Sequence, residues 1–164
     1  MTDASRTTSS RLAPKRIYRF LAIAEAVTWT LLIIAIIAKY AFQLDTLVPI
    51  AGPIHGFVFL SYGAMQLVVG HNQRWSAGTV LLGIVTAIVP YATIPWERRL
   101  ERRGMLEGDW RMQATDDPRD QRPIDRLFRW AINHAVLLVI AVVILVAIVF
   151  FLLLQAGPPT EWFA

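Results

Sequence analysis

Residues 135–154 read AVLLVIAVVILVAIVFFLLL, an unbroken apolar run with no charge, glycine or proline. At a helical rise of 1.5 Å per residue, about 20 such residues cover the roughly 30 Å hydrocarbon core of a bilayer. This run makes the chain a membrane protein. Three further stretches, Phe20 to Ala38, Val48 to Val69 and Ser76 to Ile94, have comparable length and apolarity and make it polytopic. The expectation is an all-α integral membrane helical bundle.

Composition narrows the class. The chain has 164 residues and 55% apolar content, so little is left outside lipid. The remaining pieces are too small to bury cores of their own. There is no cysteine, which excludes disulfides and thiolate metal sites. The 16 Lys and Arg outnumber 12 Asp and Glu and flank apolar segments, so the bilayer and its anionic headgroups are the expected partners and nucleic acid is not. The basic, then apolar, N-terminus resembles a secretory signal, but its apolar segment is long and lacks a cleavage pattern, so a retained first helix is expected.

Five units follow from the punctuation. Residues 1–15 are a Ser/Thr-rich tail expected to be disordered, and 16–100 a core domain of three transmembrane helices. Residues 101–130 form an arginine-rich interfacial connection, 131–156 the fourth helix and 157–164 a short tail. Tyr18 and Phe20 are placed at headgroup level, and Pro49 and Pro53 open the second helix. The polar turn from His71 to Arg74 makes the second and third helices antiparallel neighbours. Residues 96–103 have the spacing of a short interfacial helix stopped by Gly104, and 123–130 of an amphipathic approach to the last span. The acidic stretch Asp116, Asp117, Pro118, Asp120 reads as a solvated loop, without a metal-ligand pattern.

Small and polar residues report which helices pack, because lipid gives apolar faces no reason to associate. Gly52, Gly56, Phe59, Gly63, Gln66 and Gly70 form one seam on the second helix. Ser76, Thr79, Gly83, Thr86, Pro90 and Thr93 form another on the third, and Glu25, Thr28, Leu32, Ala35 and Lys39 a weaker one on the first. The last helix has none and is expected at the periphery.

Ionisable side chains inside a span are functional candidates. Glu25 and His55 are the two here, with Tyr62, Gln66, Thr79 and Thr86 as polar neighbours on the second and third helices. Glu25 reads either as a carboxyl bonded to Gln66, Thr79 or an arginine, or as a proton or cation handler. His55 reads either as a structural imidazole or as a ligand or relay. Counting the rise per residue puts Glu25 about 8 Å below one surface and His55 about 10 Å below the other, some 10 to 15 Å apart along the normal and out of contact. His134 is placed on the His55 side, where the two could clamp a b-type haem, although nothing else supports one and the expectation is no cofactor. His71 is a plain polar turn residue. No catalytic or metal motif occurs.

In order along residues 16 to 100 stand Arg19, Glu25, Lys39-Tyr40, Gly52-Pro53-Ile54-His55-Gly56, Arg74-Trp75-Ser76 and Pro90 through Leu100. This pattern resembles a small bacterial integral membrane family of unknown function carrying a His-Gly motif. The resemblance implies a three-helix core and no activity, and it leaves the last helix outside. With the arginine-rich composition it suggests a multi-pass protein of a bacterial plasma (inner) membrane, with an actinobacterium as one source.

The favoured function is a non-catalytic accessory or interaction subunit, in a homo-oligomer or a larger membrane complex. The alternative is a small transporter or proton-coupled carrier using Glu25 and His55, followed by a membrane enzyme and a haem protein. Orientation is conflicted. With four spans, Arg6, Arg11, Lys15, Arg16, Arg19 and Arg74 lie on one side and the more numerous basic residues of the first turn and of 95–130 on the other. The arginine-rich connection is expected inside, so residues 5 and 115 would label from opposite faces.

Overall fold

The structure, a computed structural model, describes residues 13–156. The tails expected at 1–15 and 157–164 lie almost wholly outside the described residues. Six α-helices follow in order: α1 (Pro14–Phe42), α2 (Val48–Asn72), α3 (Ala77–Ile88), α4 (Thr93–Arg102), α5 (Pro123–Asn133) and α6 (Ala135–Gln155), with a 3-10 turn at Pro118–Gln121 before α5. The described residues are helical and loop throughout, and three helices, α1, α2 and α6, are long and apolar enough to cross a membrane.

Proline opens α1 and lies in the first turn of α2, where a missing N–H costs nothing. Gln43 closes α1 in the left-handed region, φ 58°, its N–H donating to the Ala38 carbonyl, and the chain turns back into α2. The two helices run antiparallel and form the main contact of the molecule. The core gathers Tyr18 and Ala22 of α1, Tyr62 and Val69 of α2, Ala87 of α3, and Trp96 and Leu100 of α4.

The third apolar stretch departs from expectation. Ser76 caps α3, its Oγ accepting from the Thr79 N–H, but the helix stops at Ile88. Val89 is extended, as a residue before proline is driven to be, and Tyr91 is left-handed at φ 65°. Twelve helical residues span about 18 Å, too short for a bilayer. The chain instead reverses. Trp29 Nε1 donates to the Ala87 carbonyl at 3.1 Å, Thr93 Oγ1 to the Ala22 carbonyl at 3.1 Å, and Arg19 Nε to Glu97 at 2.9 Å. Lys15 pairs with Glu101 at 2.7 Å. As residue numbers rise from 87 to 101, their partners on α1 fall from 29 to 15, so α4 climbs back to the end where α3 began. Together, α3 and α4 form a re-entrant hairpin, and Pro90 is its tip rather than a point within a span.

This corrects the sidedness drawn from four spans. Residues 95–130 share an end with the start of α1. Apart from Lys39, every described Lys and Arg belongs to that end.

α6 runs antiparallel to α2, with Phe57 and Phe150 edge to face at 6.4 Å between centroids. Val146 is buried, yet most of α6 remains exposed, a peripheral helix as its uniform apolarity implies. The connection between α4 and α5 is an ordered cap rather than a solvated loop. Asp120 is 1% exposed, because Arg74, Arg111 and Arg129 converge on it. Arg111 also donates to the His71 and Asn72 carbonyls at 2.8 and 2.7 Å, closing the C-terminus of α2.

Candidate functional site

The antiparallel register of α1 on α2 lays a column of polar side chains between them. At the basic end, Gln66 Nε2 donates to Tyr18 Oη at 2.5 Å, and Tyr18 Oη lies 3.2 Å from Tyr62 Oη. All three side chains are fully buried, and the Trp75 ring meets Tyr18 edge-on. Tyr18, read from sequence as a headgroup-level residue, belongs instead to the core. Its spacing to Ala22, Glu25 and Thr28, steps of four, three and three, puts all four on one helical face.

Further along are Glu25, Thr28 and His55. Glu25 is 0% exposed, and its Oε2 lies 4.0 Å from His55 Nδ1. The two side chains expected 10 to 15 Å apart along the normal are therefore neighbours. The reason is helix length. α1 begins at Pro14, so Glu25 lies about 16 Å from its start, while His55 lies about 10 Å from the start of antiparallel α2. In a core of about 30 Å these depths nearly meet.

Thr28 Oγ1 donates to the Glu25 carbonyl and lies 3.1 Å from His55 Nδ1. With its single proton so engaged, the hydroxyl accepts from the imidazole, which assigns the ring proton to Nδ1, the nitrogen facing Glu25. The Trp29 ring covers the imidazole at 4.4 Å between centroids. Neither Glu25 carboxyl oxygen has a hydrogen-bond partner among the described residues. Gln66 and Thr79, expected to bond Glu25, do not: Gln66 serves Tyr18, and Thr79 Oγ1 is 2.9 Å from Ser76 Oγ at the mouth of α3. An unsolvated carboxylate is costly, so the pair is stable either with Glu25 protonated or as an ion pair with a doubly protonated imidazole, whose second proton would sit on Nε2, away from Nδ1 and its Thr28 bond.

Thr86 adjoins the column: it donates to the Gly83 carbonyl at 2.6 Å, and its hydroxyl neighbours Tyr62. His134 stacks on Trp130 at the basic end, whereas His55 lies toward the opposite end of α2, so no haem can bridge them. Of the glycines, Gly83 packs on Gln66, where an added Cβ would come 2.6 Å from its Cδ, and Gly70 packs on Val80. Gly56 faces Phe150 of α6 rather than the core, and Gly52 and Gly63 have nothing within 4 Å of an added Cβ. The glycines of α2 therefore do not form one continuous seam.

An all-helical bundle with membrane-length apolar helices and a polar interior defines a helical membrane protein. Residues 15–102 match the family described as a domain of unknown function, DUF3817, and the chain belongs to that family. The matched segment is α1 through α4, which holds the polar column and the re-entrant hairpin and excludes α5 and α6. A Streptomyces coelicolor protein, SCO5905, named as a candidate membrane protein, is 33% identical over 117 residues. That similarity covers 70% of this chain and 13% of the relative. No solved structure matches.

Proposed function

We propose that the chain is a non-catalytic accessory module of a larger membrane assembly. The observation that supports this is the extent of the similarity to the Streptomyces protein, 70% of this chain against 13% of a much longer one. A unit that in a relative is a small part of a longer membrane chain is suited to work beside other membrane segments. The exposed flank of α6 offers a face for them. Tagged protein extracted in mild detergent after crosslinking should retain a larger membrane partner. Recovery of the uncrosslinked chain alone would overturn the proposal.

The charge distribution supports an orientation. The basic end faces the cytoplasm of a bacterial plasma membrane, the chain crosses three times, and α6 ends outside. On this reading Gly52 to Gly56, with His55, is the His-Gly signature of the family, since it supplies the imidazole of the polar column.

A second reading is favoured by the 4.0 Å approach of Glu25 to His55: proton-coupled transport through the buried pair. It requires pH-dependent flux in vesicles that Glu25→Gln abolishes. Flux unchanged by that substitution would exclude it.

A further inference from the structure

At the basic end a cavity of about 600 Å³ opens between the end of α2, the start of α3 and the segment leading into α5. Its walls differ in chemistry. Toward the hydrocarbon it is lined by Leu67, Val80, Leu81 and Ile84, and Leu67 and Leu81 are exposed on the flank of the bundle. Toward the surface it is lined by Arg74, Arg119 and Arg122, with His71 and the single acid Asp125.

The cationic rim is built rather than loose. Arg74 is held by Asp117 at 2.6 Å and by Asp120, and Arg119 by Asp117 at 2.7 Å. Arg122 has no acid partner among the described residues. His71 is fixed by the Phe128 ring at 4.6 Å, and its Nε2 is buried without a hydrogen-bond partner, 3.4 Å from Asp125. The start of α3, with N–H groups that have no intrahelical acceptor, adds partial positive charge to the same opening.

We propose that this cavity binds one anionic phospholipid from the surrounding leaflet. The phosphate lies at Arg119 and Arg122, and an acyl chain runs along Leu67, Leu81 and Ile84. Three observations select this ligand. The apolar wall is continuous with the lipid-facing flank, the cations lie at the membrane-surface end of that wall, and Arg122 stands among them without an acid partner among the described residues, while Asp117 and Asp120 hold Arg74 and Arg119 in place. A zwitterionic lipid would add its own cation to that rim, and a free phosphate would leave the apolar wall uncovered. The volume suits a headgroup and the first part of a chain.

Native mass spectrometry of the whole chain, released from nanodiscs of equal phosphatidylglycerol and phosphatidylcholine, reads occupancy. Phosphatidylglycerol should be retained at least several-fold over phosphatidylcholine. Arg122→Gln should cut that preference several-fold, Leu81→Gln should lower retention of both lipids, and Arg103→Gln, at the close of α4 and outside the cavity lining, should leave both unchanged. Circular dichroism checks that each variant is folded. Equal retention of the two lipids, an equal loss with Arg103→Gln, or displacement of phosphatidylglycerol by millimolar inorganic phosphate would overturn the proposal. Should Arg122→Gln fail to fold, Leu81→Gln and the lipid comparison in the unsubstituted chain still decide it.

Discussion

At the scale of single residues, the packing of Gly83 and the bonding of His55 make opposite demands on substitution. A methyl at Gly83 meets the amide of Gln66, which is buried and tied to Tyr18, so Gly83→Ala must break that bond or part α2 from α3. Overpacking of this kind costs about 1–3 kcal/mol. Gly63→Ala, with open space around it, should be near neutral. Denaturation in detergent measures the difference, and equal losses would refute the assignment. His55→Gln should remain folded, because an amide N–H can replace Nδ1 as donor to Thr28. His55→Leu should be less stable by about 1–3 kcal/mol, the cost of leaving buried polar groups without a partner. The residues of this site were visible in the sequence as intramembrane polar groups, but their pairing was not. It depends on where α1 begins, and Pro14 to Arg19 look like a charged approach although they are helix.

Among the elements, α3 and α4 show most clearly what hydropathy cannot resolve. Ser76 to Ile94 has the length and apolarity of a span, and Pro90 alone does not stop one, since prolines occur within transmembrane helices. What turns the chain is a set of tertiary contacts: Trp29 on the Ala87 carbonyl, Thr30 on Tyr91, and Arg19 on Glu97 and Glu101. None is adjacent in sequence. By contrast α1, α2 and α6 announce themselves through length and composition, as does the amphipathic α5. The hairpin has a topological consequence that single cysteines can read. Asp45→Cys, between α1 and α2, and Thr115→Cys, beyond α4, should react with an impermeant reagent from opposite faces of sealed vesicles. Four spans would put both on one face, so labelling from the same side would restore that arrangement and remove the hairpin.

For the whole molecule, the basic end is a folded cap whose acids are set to remain charged. Donation from the Thr115 N–H and hydroxyl, with Arg74 and Arg129 beside it, holds the Asp120 carboxyl below the usual range, and Arg119 does the same for Asp117. Lys15 and Arg19 likewise lower Glu101, tying α4 to α1. Groups whose folded value lies below the unfolded one add stability above the unfolded value and lose it as pH falls through the folded one. The cap should therefore be at full strength from about pH 5 upward and weaken only below about pH 4, the ordinary carboxylate range. Asp120→Asn should lower the thermal midpoint at neutral pH, and the gap to the unsubstituted protein should close in acid. A gap that persisted unchanged at pH 3 would show that the carboxylate charge is not what holds the cap. The opposite end carries Lys39 and Asp45, 3.7 Å apart, whose charges cancel. On the orientation proposed above, the segment that the α1–α2 hairpin would carry across an energised membrane is electrically neutral, although each unbalanced charge would exchange about 2.3 kcal/mol with every 100 mV of potential. Its insertion thus neither draws on the membrane voltage nor works against it, and collapsing the proton-motive force should leave the rate at which new chains are threaded unchanged.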